Sequence, residues 1–307
     1  MEQAVKDKLN LPKISIITPS YNQAQYIEQT IKSVLNQQYP NLEYIIIDGG
    51  SKDGTAEIIK KYEHFLTYWV SEKDNGQAHA INKGLLHCTG DIFNWINSDD
   101  FLEEGALHKV ASAFKKTDIG MVGGAVQDFA EDGFKTLHIN KLLSIEDMLN
   151  PIEAYLYHQP GVWLRIDVMK KTGNFREDYH YCFDQQYMLR YLQQIQEVHY
   201  IPDILAYFRL HKQSKTVSQK ELFLQDFKRM YKEFWQTNAG TPLGEMAKRK
   251  SLAYEWPLIQ HSLNDGTRGR LSTFIIALKE LGKNPVQRIN KKSLGWLKHI
   301  LFGTRRV

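Results

Sequence analysis

The chain has 307 residues, 42% of them hydrophobic, and a formal net charge of +4. This length and apolar content allow a full hydrophobic core, and the small net charge argues against a nucleic-acid-binding protein. Two cysteines make no disulfide framework, so we expect a reducing compartment, the cytoplasm. We expect neither a signal peptide in the charged segment 1–11 nor a membrane span, since no apolar run approaches about 20 residues.

Four short apolar runs in the first hundred residues are typical of buried β-strands, and an acidic or aromatic side chain follows each. The runs are 14–18, 44–47, 66–70 and 92–96, and the side chains after them are Tyr21, Asp48, Asp74 and Asp99. The steps of 27, 26 and 25 residues between these side chains accommodate one strand and one helix each. Strands joined by crossover helices lie parallel, so these positions should meet at one edge of a mostly parallel α/β sheet, where ligands bind.

Helical periodicity fills the gaps between the runs. The predicted helices are 25–35, 56–62 with Thr55 as N-cap, 77–87 and 105–114. After residue 115 the pattern predicts a hairpin of 121–129 and 134–139, a strand at 161–166, a helix at 184–194 and one or two strands within 198–208. From residue 218 onward the chain is predicted to be mostly helical.

Two adjacent carboxylates, Asp99 and Asp100, follow the fourth run. Neighbouring like charges raise each other's pKa, and a divalent cation would relieve the repulsion. Mg²⁺ and Mn²⁺ prefer oxygen ligands, typically one or two carboxylates together with substrate phosphates. The alternative is a pair at the start of a helix, where Asp is favoured.

The side chains after the earlier runs are candidates for binding a nucleotide. Asp48 precedes two glycines, so its carboxylate could accept a hydrogen bond from a base or sugar at close approach. Asp53 and Asp74 each lie in a sequence typical of turns, and a turn role is equally compatible with them. Tyr21 could stack on a nucleobase or pack against the protein.

Several signatures of other enzyme classes are missing from the sequence. There is no Gly-x-x-x-x-Gly-Lys loop and no Gly-x-Gly-x-x-Gly after the first run, which disfavours P-loop NTPases and nicotinamide enzymes. There is no Gly-x-Ser-x-Gly elbow. The eleven histidines show no zinc-binding spacing, so most of them are expected to be surface or core residues.

Taken together, several segments resemble the family-2 glycosyltransferases. They are Ile14–Thr18 with Pro19-Ser20-Tyr21-Asn22, Gln29–Gln37, Ile46–Thr55, Trp69–Gly76, Ala80–Gly84 and Asn97-Ser98-Asp99-Asp100, the last at the position of that family's Asp-x-Asp motif. The similarity is dense over 13–115 and thinner to about residue 216. It implies a GT-A fold, with a mostly parallel sheet flanked by helices, and transfer of a sugar from a nucleotide donor with inversion at the anomeric carbon.

The resemblance also implies roles for individual residues. Those implied to bind the donor are Pro19, Tyr21, Asp48, Asp53, Asp74, Asn97, Ser98, Arg209 and His211. Among them, Tyr21 and Asp48 would hold the base, and Arg209 or His211 would contact the diphosphate. Asp99 and Asp100 would bind Mn²⁺ or Mg²⁺. Asn97 replaces the first acidic residue of the motif, so the resemblance leaves the need for a metal open.

A single displacement with inversion needs a carboxylate that takes the proton of the acceptor hydroxyl. By resemblance of the segment 173–190, that base is Asp184. A role as helix N-cap competes with this assignment, and Glu177 and Asp178 are the alternative bases. The Gln-x-x-Arg-Trp motif of processive polysaccharide synthases is missing near Gln186 and Arg190, so we expect one sugar to be added per encounter.

The chain is therefore divided into a GT-A domain, 1–216, and a helical region, 217–307. Within the first, 1–115 is the nucleotide-binding half and 116–216 the acceptor-side half. After Glu280 there are seven Lys or Arg residues and no acid. Trp296, Leu297, Ile300 and Leu301 share one helical face, which fits either a helix resting on an anionic membrane or a terminal helix packing on the protein's own core.

These observations predict an inverting, metal-assisted hexosyltransferase. It would move a single sugar from a UDP-type donor to a glycan or lipid-linked acceptor of bacterial surface polysaccharide, at the inner face of the membrane if the terminal helix binds there. One alternative is a non-catalytic nucleotide-sugar-binding protein. Another is a sugar-phosphate nucleotidyltransferase, although the Gly-rich basic loop expected after its first strand is missing. The sugar, the base, the acceptor and the oligomeric state are not specified by the sequence.

Overall fold

The computed structural model describes residues 11–115, 119–141, 144–150, 157–211, 220–263, 269–283, 295–298 and 300. The strands are β1 (Ile14–Ser20), β2 (Leu42–Asp48), β3 (Tyr68–Ser71), β4 (Ile92–Trp95), β5 (Phe101–Leu102), β6 (Ile119–Ala130), β7 (Lys135–Ile139), β8 (Val162–Arg165) and β9 (Glu197–Leu210). The helices are α1 (Ile27–Leu35), α2 (Thr55–Lys60), α3 (Gln77–Leu85), α4 (Ala106–Ala113), α5 (Ile145–Leu149), α6 (Ile166–Thr172), α7 (Phe183–Tyr191), α8 (Lys220–Thr237), α9 (Pro242–Ala253), α10 (Glu255–Leu263) and α11 (Arg270–Lys283).

All of these strands belong to one mixed sheet. Its order is β3-β2-β1-β4-β8-β6-β9-β5, and β7 pairs with β6 outside this path. The first four strands in this order run parallel, which confirms the prediction from the strand–helix spacing. β8 is antiparallel to both β4 and β6, whereas β9 is parallel to β6. The second half of the sheet is therefore mixed, and an α/β sheet flanked by helices is confirmed.

The parallel strands β1, β2 and β4 are largely buried because helices cover both of their faces. All seven residues of β1 are buried. Ile16 joins a core cluster with Ile31 of α1 and Leu107 of α4. Ile17 faces the other side of the pleat, where α3 comes so close that a Cβ at Gly84 would lie 2.7 Å from Ile17 Cδ1. Continuous apolar runs, rather than alternating ones, are expected for strands in this position.

One local prediction differs from the structure, and two points that the sequence left open are decided by it. Gly54, with a φ of 99°, occupies the N-cap of α2, and Thr55 is the first helical residue. Asp99 and Asp100 precede the short strand β5, so they are not a pair at a helix start. The region 198–208 forms part of one long strand, Glu197–Leu210, whose pairing with β6 contains register shifts.

The chain divides into two compact units. One contains residues 1–145 and 156–214, and the other contains 146–155 and 215–307. The segment 146–155 thus groups with the C-terminal helices, which a division at residue 216 did not foresee. Within the second unit, the buried Tyr231 of α8 donates a hydrogen bond to the carbonyl of Met148 at 3.2 Å.

The side chains of Trp296, Leu297 and Ile300 are buried within the second unit, in a cluster with Leu263 and Leu281. Of the two interpretations of this basic terminal segment, packing on the chain's own core is the one that the structure shows for these three residues. Leu301 lies outside the described residues. Among the described helices, none combines the length and apolar character needed to cross a membrane.

Candidate active site

The carboxyl ends of β2, β1 and β4 lie side by side at one edge of the sheet. Ser20 pairs with Asp48 at the last register position of β1 and β2, and Ile17 of β1 pairs with Trp95, the last residue of β4. The same edge therefore carries the residues at or after the ends of the four parallel strands, Tyr21, Asp48, Asp74 and Asp99. The chain brings them together as the spacing of the sequence predicted.

Tyr21 and Pro19 differ in their exposure at this edge. Pro19 is part of β1 and is buried. The side chain of Tyr21 is 62% exposed. An exposed aromatic ring beside the sheet edge is suited to stacking on a planar ligand.

Asp48 is completely buried, and its carboxylate organises the loop that follows it. Oδ2 accepts hydrogen bonds from Gly50 N at 3.2 Å, Ser51 N at 2.9 Å and Ser71 Oγ at 2.6 Å. Oδ1 accepts one from Ser51 Oγ at 2.5 Å. A carboxylate offers about four acceptor positions. Asp48 accepts three hydrogen bonds at Oδ2 and one at Oδ1, so Oδ1 is the less engaged of its two oxygens.

Asp74 approaches this loop because Gly49 has no side chain. A Cβ at Gly49 would lie 2.8 Å from Asp74 Oδ2, closer than such atoms pack. The other oxygen, Oδ1, accepts a hydrogen bond from Gly76 N at 2.8 Å. Asp74 thus makes the turn contact that its sequence predicts and also lines the loop after Asp48.

Asp53 joins the loops that follow β1 and β2. Its Oδ1 accepts hydrogen bonds from the backbone N and the hydroxyl of Thr55 at 3.1 and 2.5 Å, and its Oδ2 accepts one from Ala24 N at 3.0 Å. These bonds account for the downward shift of its pKa, against the opposing effect of burial. In this structure Asp53 is a turn residue that fixes two loops of the site.

Asn97 links α3 to Asp100. Its Oδ1 accepts a hydrogen bond from Gln77 Nε2 at 2.6 Å, and its Nδ2 donates to Asp100 Oδ2 at 3.1 Å. An aspartate at position 97 could not donate this second bond, so the departure from the acidic motif has a structural consequence. The neighbouring Ser98 is buried, and its carbonyl accepts a hydrogen bond from Thr30 Oγ1 at 3.0 Å.

Asp100 is buried, and both of its oxygens bind the chain. Oδ1 accepts the backbone N–H of Arg209 at 2.9 Å, and Oδ2 accepts the amide of Asn97. Burial, and then the charge of Asp99, raise its pKa well above the usual value. Of the two adjacent carboxylates, Asp99 is the more accessible, with 21% of its side chain exposed.

Asp99, Arg209 and His211 converge at the end of β9. His211 Nε2 lies 3.0 Å from Asp99 Oδ2. Arg209 donates from Nε to the carbonyl of Asp99 at 3.0 Å and from an Nη to Gln29 Oε1 at 2.6 Å. Its guanidinium also lies 4.6 Å from the ring centre of Tyr26 and the same distance from Phe129. The arrangement brings a guanidinium, an imidazole and a carboxylate together at this edge of the sheet.

Asp184 lies in the first turn of α7, directly after a residue that packs on the end of β4. The preceding residue, Phe183, contacts Trp95, the last residue of β4, with ring centres 6.2 Å apart. Cys182, not Asp184, occupies the N-cap position. Burial raises the pKa of Asp184 to about 6, and hydrogen bonds from the backbone N–H groups of Gln185 and Asp184 itself partly oppose this shift. A carboxylate with such a pKa can accept a proton near neutral pH.

The alternative bases are engaged elsewhere. Glu177 Oε1 accepts a hydrogen bond from Asn82 Nδ2 at 3.0 Å, and Asp178 forms a bidentate pair with Arg176. Such contacts hold both carboxylates in structural roles. Asp184 is therefore the carboxylate of this segment whose surroundings best suit proton transfer.

Gln186 and Arg190, which lie where a processive motif would be expected, also contact other parts of the chain. Arg190 of α7 donates hydrogen bonds to the carbonyls of Thr172 and Asn174 at 2.7 and 2.8 Å. Its Nε contacts Gln186 Oε1 at 3.3 Å. The bonds to Thr172 and Asn174 tie α7 to the end of α6 and to the segment that follows it.

One cluster near the site was missed by the sequence analysis. The cluster consists of Asp128 of β6, His138 of β7 and His158, which directly precedes a 3₁₀ turn at Gln159–Gly161. Each offers one possible metal-binding atom, and these atoms lie within 4.8 Å of one another. The hairpin register pairs Val126 with His138, so Asp128 and His138 are diagonal neighbours on one face. The predicted hairpin could have indicated that pair, but nothing in the spacing indicated His158.

The likenesses to known proteins agree with this site. Residues 15–183 match glycosyl transferase family 2, and the chain belongs to that family. An uncharacterized glycosyltransferase of Mycobacterium tuberculosis is 39% identical over 194 residues, which cover 58% of this chain and 68% of that protein. TuaG of Bacillus subtilis, named for teichuronic acid biosynthesis, is 34% identical over 144 residues, covering 45% of this chain and 57% of TuaG.

Solved structures show the same fold. Residues 1–349 of Staphylococcus aureus TarS, solved with UDP-GlcNAc, align over 94% of this chain and 81% of that one, with a TM-score of 0.59 and 17% identity. The mannosyltransferase PcManGT of Pyrobaculum calidifontis, solved with GDP-Man and Mn²⁺, aligns over 98% of this chain and 89% of that one, with a TM-score of 0.61 and 17% identity. The GT-A-like fold is thus confirmed, and the protein is a glycosyltransferase.

Proposed function

We propose that the chain is an inverting glycosyltransferase that adds one sugar per encounter, from a UDP-sugar to a glycan or lipid-linked acceptor in bacterial surface polysaccharide synthesis. The observation that carries this proposal is that α7 packs on the end of β4 through Phe183 and Trp95. Asp184, the next residue of α7, therefore lies on a helix that adjoins the strand leading into Asp99. A base and a diphosphate-binding edge thereby lie on neighbouring elements. Inversion in one displacement requires that arrangement.

The donor assignment has support from relatives as well as from the site. TarS was solved with UDP-GlcNAc, and PcManGT with GDP-Man. The name of TuaG refers to a bacterial surface polymer. We favour UDP, with Tyr21 stacking on the base and Asp48 Oδ1 accepting the N–H of the ring. The two structural relatives nevertheless differ in their base, which is why a test has to compare several donors.

Whether a divalent cation can bind at this edge depends on the ligand atoms beside Asp99. Asp99 Oδ2 and His211 Nε2 are neighbouring carboxylate and imidazole donors, a combination that Mn²⁺ accepts. A cation held there would supply charge neutralisation to the departing nucleoside diphosphate. We assign Asp99 as its ligand, and Asp100 as the buried group that positions Asn97 and Arg209.

The chain's own side chains perform the remaining steps. Arg209 is locked by its hydrogen bonds and ring contacts, so its charge is oriented before the diphosphate arrives. Asp184 accepts the proton of the acceptor hydroxyl as the new bond forms. Contact with a membrane is not part of this proposal, since the side chains of Trp296, Leu297 and Ile300 are buried.

A panel of nucleotide-sugars tests the proposal. The purified chain is incubated with UDP-, GDP- and dTDP-linked hexoses, with and without Mn²⁺, and released nucleotide is measured beside the shift in melting temperature. We expect release from a UDP-sugar, enhanced by acceptor glycan. A melting-temperature shift without release from any donor would support a binding protein instead. Release of pyrophosphate from a sugar phosphate and a nucleoside triphosphate would support a nucleotidyltransferase.

A further inference from the structure

The cluster of Asp128, His138 and His158 has the composition of a transition-metal site. Asp128 Oδ1 lies 2.5 Å from His158 Nε2, and Oδ2 lies 2.9 Å from His138 Nε2. The two imidazole rings lie 4.7 Å apart. Two imidazoles and one carboxylate, with one position left for water, form a familiar ligand set for Zn²⁺.

The ligands are held in place by the surrounding structure. Asn140 clamps the backbone of His158, accepting its N–H at 2.7 Å and donating to its carbonyl at 2.8 Å. The ring of His158 also packs against Phe208 of β9, with centres 4.8 Å apart. Asp128 and His138 are fixed by the β6–β7 hairpin. A site that is already assembled loses little conformational entropy when a metal binds.

The geometry requires only a small adjustment. A tetrahedral Zn²⁺ at about 2.0–2.1 Å from each ligand holds neighbouring ligand atoms about 3.3 Å apart. The observed carboxylate–imidazole separations are shorter than this by less than about 1 Å. Side-chain rotation can supply that change, because 40% of the His138 side chain is exposed.

We propose that Asp128, His138 and His158 form a zinc-binding site that cross-links the β6–β7 hairpin to the segment before the 3₁₀ turn. The site differs from the one at Asp99. Asp128 is followed by Phe129, which contacts Arg209, and successive residues of a strand face opposite sides of the sheet. The ion would therefore bind on the face of β6 turned away from the Arg209 contact.

The proposal does not rest on the proposed function, and metal binding without nucleotide tests it. The full-length chain is stripped with a chelator and titrated with ZnCl₂ by calorimetry, and with CoCl₂ by visible absorption. We expect about one equivalent of Zn²⁺ to bind, a cobalt spectrum typical of four ligands, and an increase in melting temperature with Zn²⁺. His138→Ala and Asp128→Asn should each weaken Zn²⁺ binding at least tenfold, while His199→Ala, a histidine of β9 outside the cluster, should not.

Asp99→Asn separates the two metal sites. It should leave zinc binding unchanged, and the cluster variants should retain nucleotide binding. The proposal is overturned if wild type binds no Zn²⁺, if His138→Ala binds it as tightly as wild type, or if Asp99→Asn abolishes it. Should Asp128→Asn fold poorly, His138→Ala still decides the question, since its side chain is partly exposed.

Discussion

Asp184→Asn is the substitution that tests the catalytic assignment most directly. It preserves the shape of the side chain but removes its capacity to accept a proton. We expect the transfer rate to fall by about 10²–10⁴-fold, the usual contribution of a general base. Nucleotide affinity should persist, because the nucleotide is assigned to the ends of β1, β2 and β4. Glu177→Gln is the matched control and should retain most of the activity.

The pH dependence of the wild-type reaction rate tests the same assignment independently. Burial raises the pKa of Asp184 to about 6, so about nine-tenths of the carboxylate is ionised at pH 7 and about one-tenth at pH 5. The value of kcat/KM should therefore fall roughly tenfold between these pH values, measured as initial rates of nucleotide release. A profile that stays flat down to pH 5 would refute the reasoning.

The same pKa shift predicts an effect on stability with a defined sign. A carboxyl whose folded-state pKa is raised from 3.8 to about 6 disfavours the folded state once it ionises. The resulting decrease in the free energy of unfolding grows between pH 4 and 6 and reaches at most about 3 kcal/mol above that range. Asp184→Asn should thus be more stable than wild type to urea at pH 7.5 and equal to it near pH 4. A variant less stable at pH 7.5 would indicate that the carboxylate mainly holds the start of α7.

Three further substitutions test the surroundings of the site and the second unit. Gly49→Ala places a Cβ 2.8 Å from Asp74 Oδ2 and should weaken nucleotide binding about tenfold by calorimetry, since the carboxylate must move. Arg209→Lys loses the two hydrogen bonds that the guanidinium donates from different nitrogens. It should lower the nucleotide affinity, and it should lower the free energy of unfolding in urea by about 1–3 kcal/mol. Burial lowers the pKa of Lys250 to about 8. Folding therefore disfavours its charged form. As the pH rises from 8 to 10.5, the free energy of unfolding of wild type should increase by up to about 3 kcal/mol relative to that of Lys250→Met.

Matched substitutions at exposed positions are the controls for these three. Gly282→Ala adds a Cβ where no heavy atom lies within 4 Å, and should leave nucleotide binding unchanged. Arg229→Lys alters a solvent-exposed pair with Glu233 and should change stability by less than about 1 kcal/mol. Lys248→Met, at an exposed lysine of the same helix, should not alter the pH slope. Equal effects in test and control variants would contradict the structural reasoning.

The edge of the sheet that carries the candidate site was predictable because short stretches of the sequence determine it. Each step between successive side chains from Tyr21 to Asp99 corresponds to the length of one strand–helix unit. Crossover connections then place successive strand ends at one edge of the sheet. Buried parallel strands also have a simple signature in continuous apolar runs. These two regularities were sufficient to place four side chains correctly without any knowledge of their contacts.

The remaining features depend on contacts between distant parts of the chain. Whether Asp99 or Asp100 points into the protein depends on Arg209, which lies more than a hundred residues away. The pairing of Asp128 with His158 is likewise set by the position of the 3₁₀ turn against β6. The buried face of Trp296 was ambiguous because an apolar helical stripe has the same pattern whether it meets lipid or protein.

The register of β9 limits how the chain can change length during evolution. Beyond the last bulge, Ala206 to Leu210 pair one-to-one with Val126 to Ala130. A one-residue deletion between Ala206 and Arg209 would turn every later side chain to the opposite face, removing the guanidinium from its partners. Insertions in the turn at 131–133 would leave that pairing intact. Homologues should therefore vary in length at the hairpin tip and keep β9 constant.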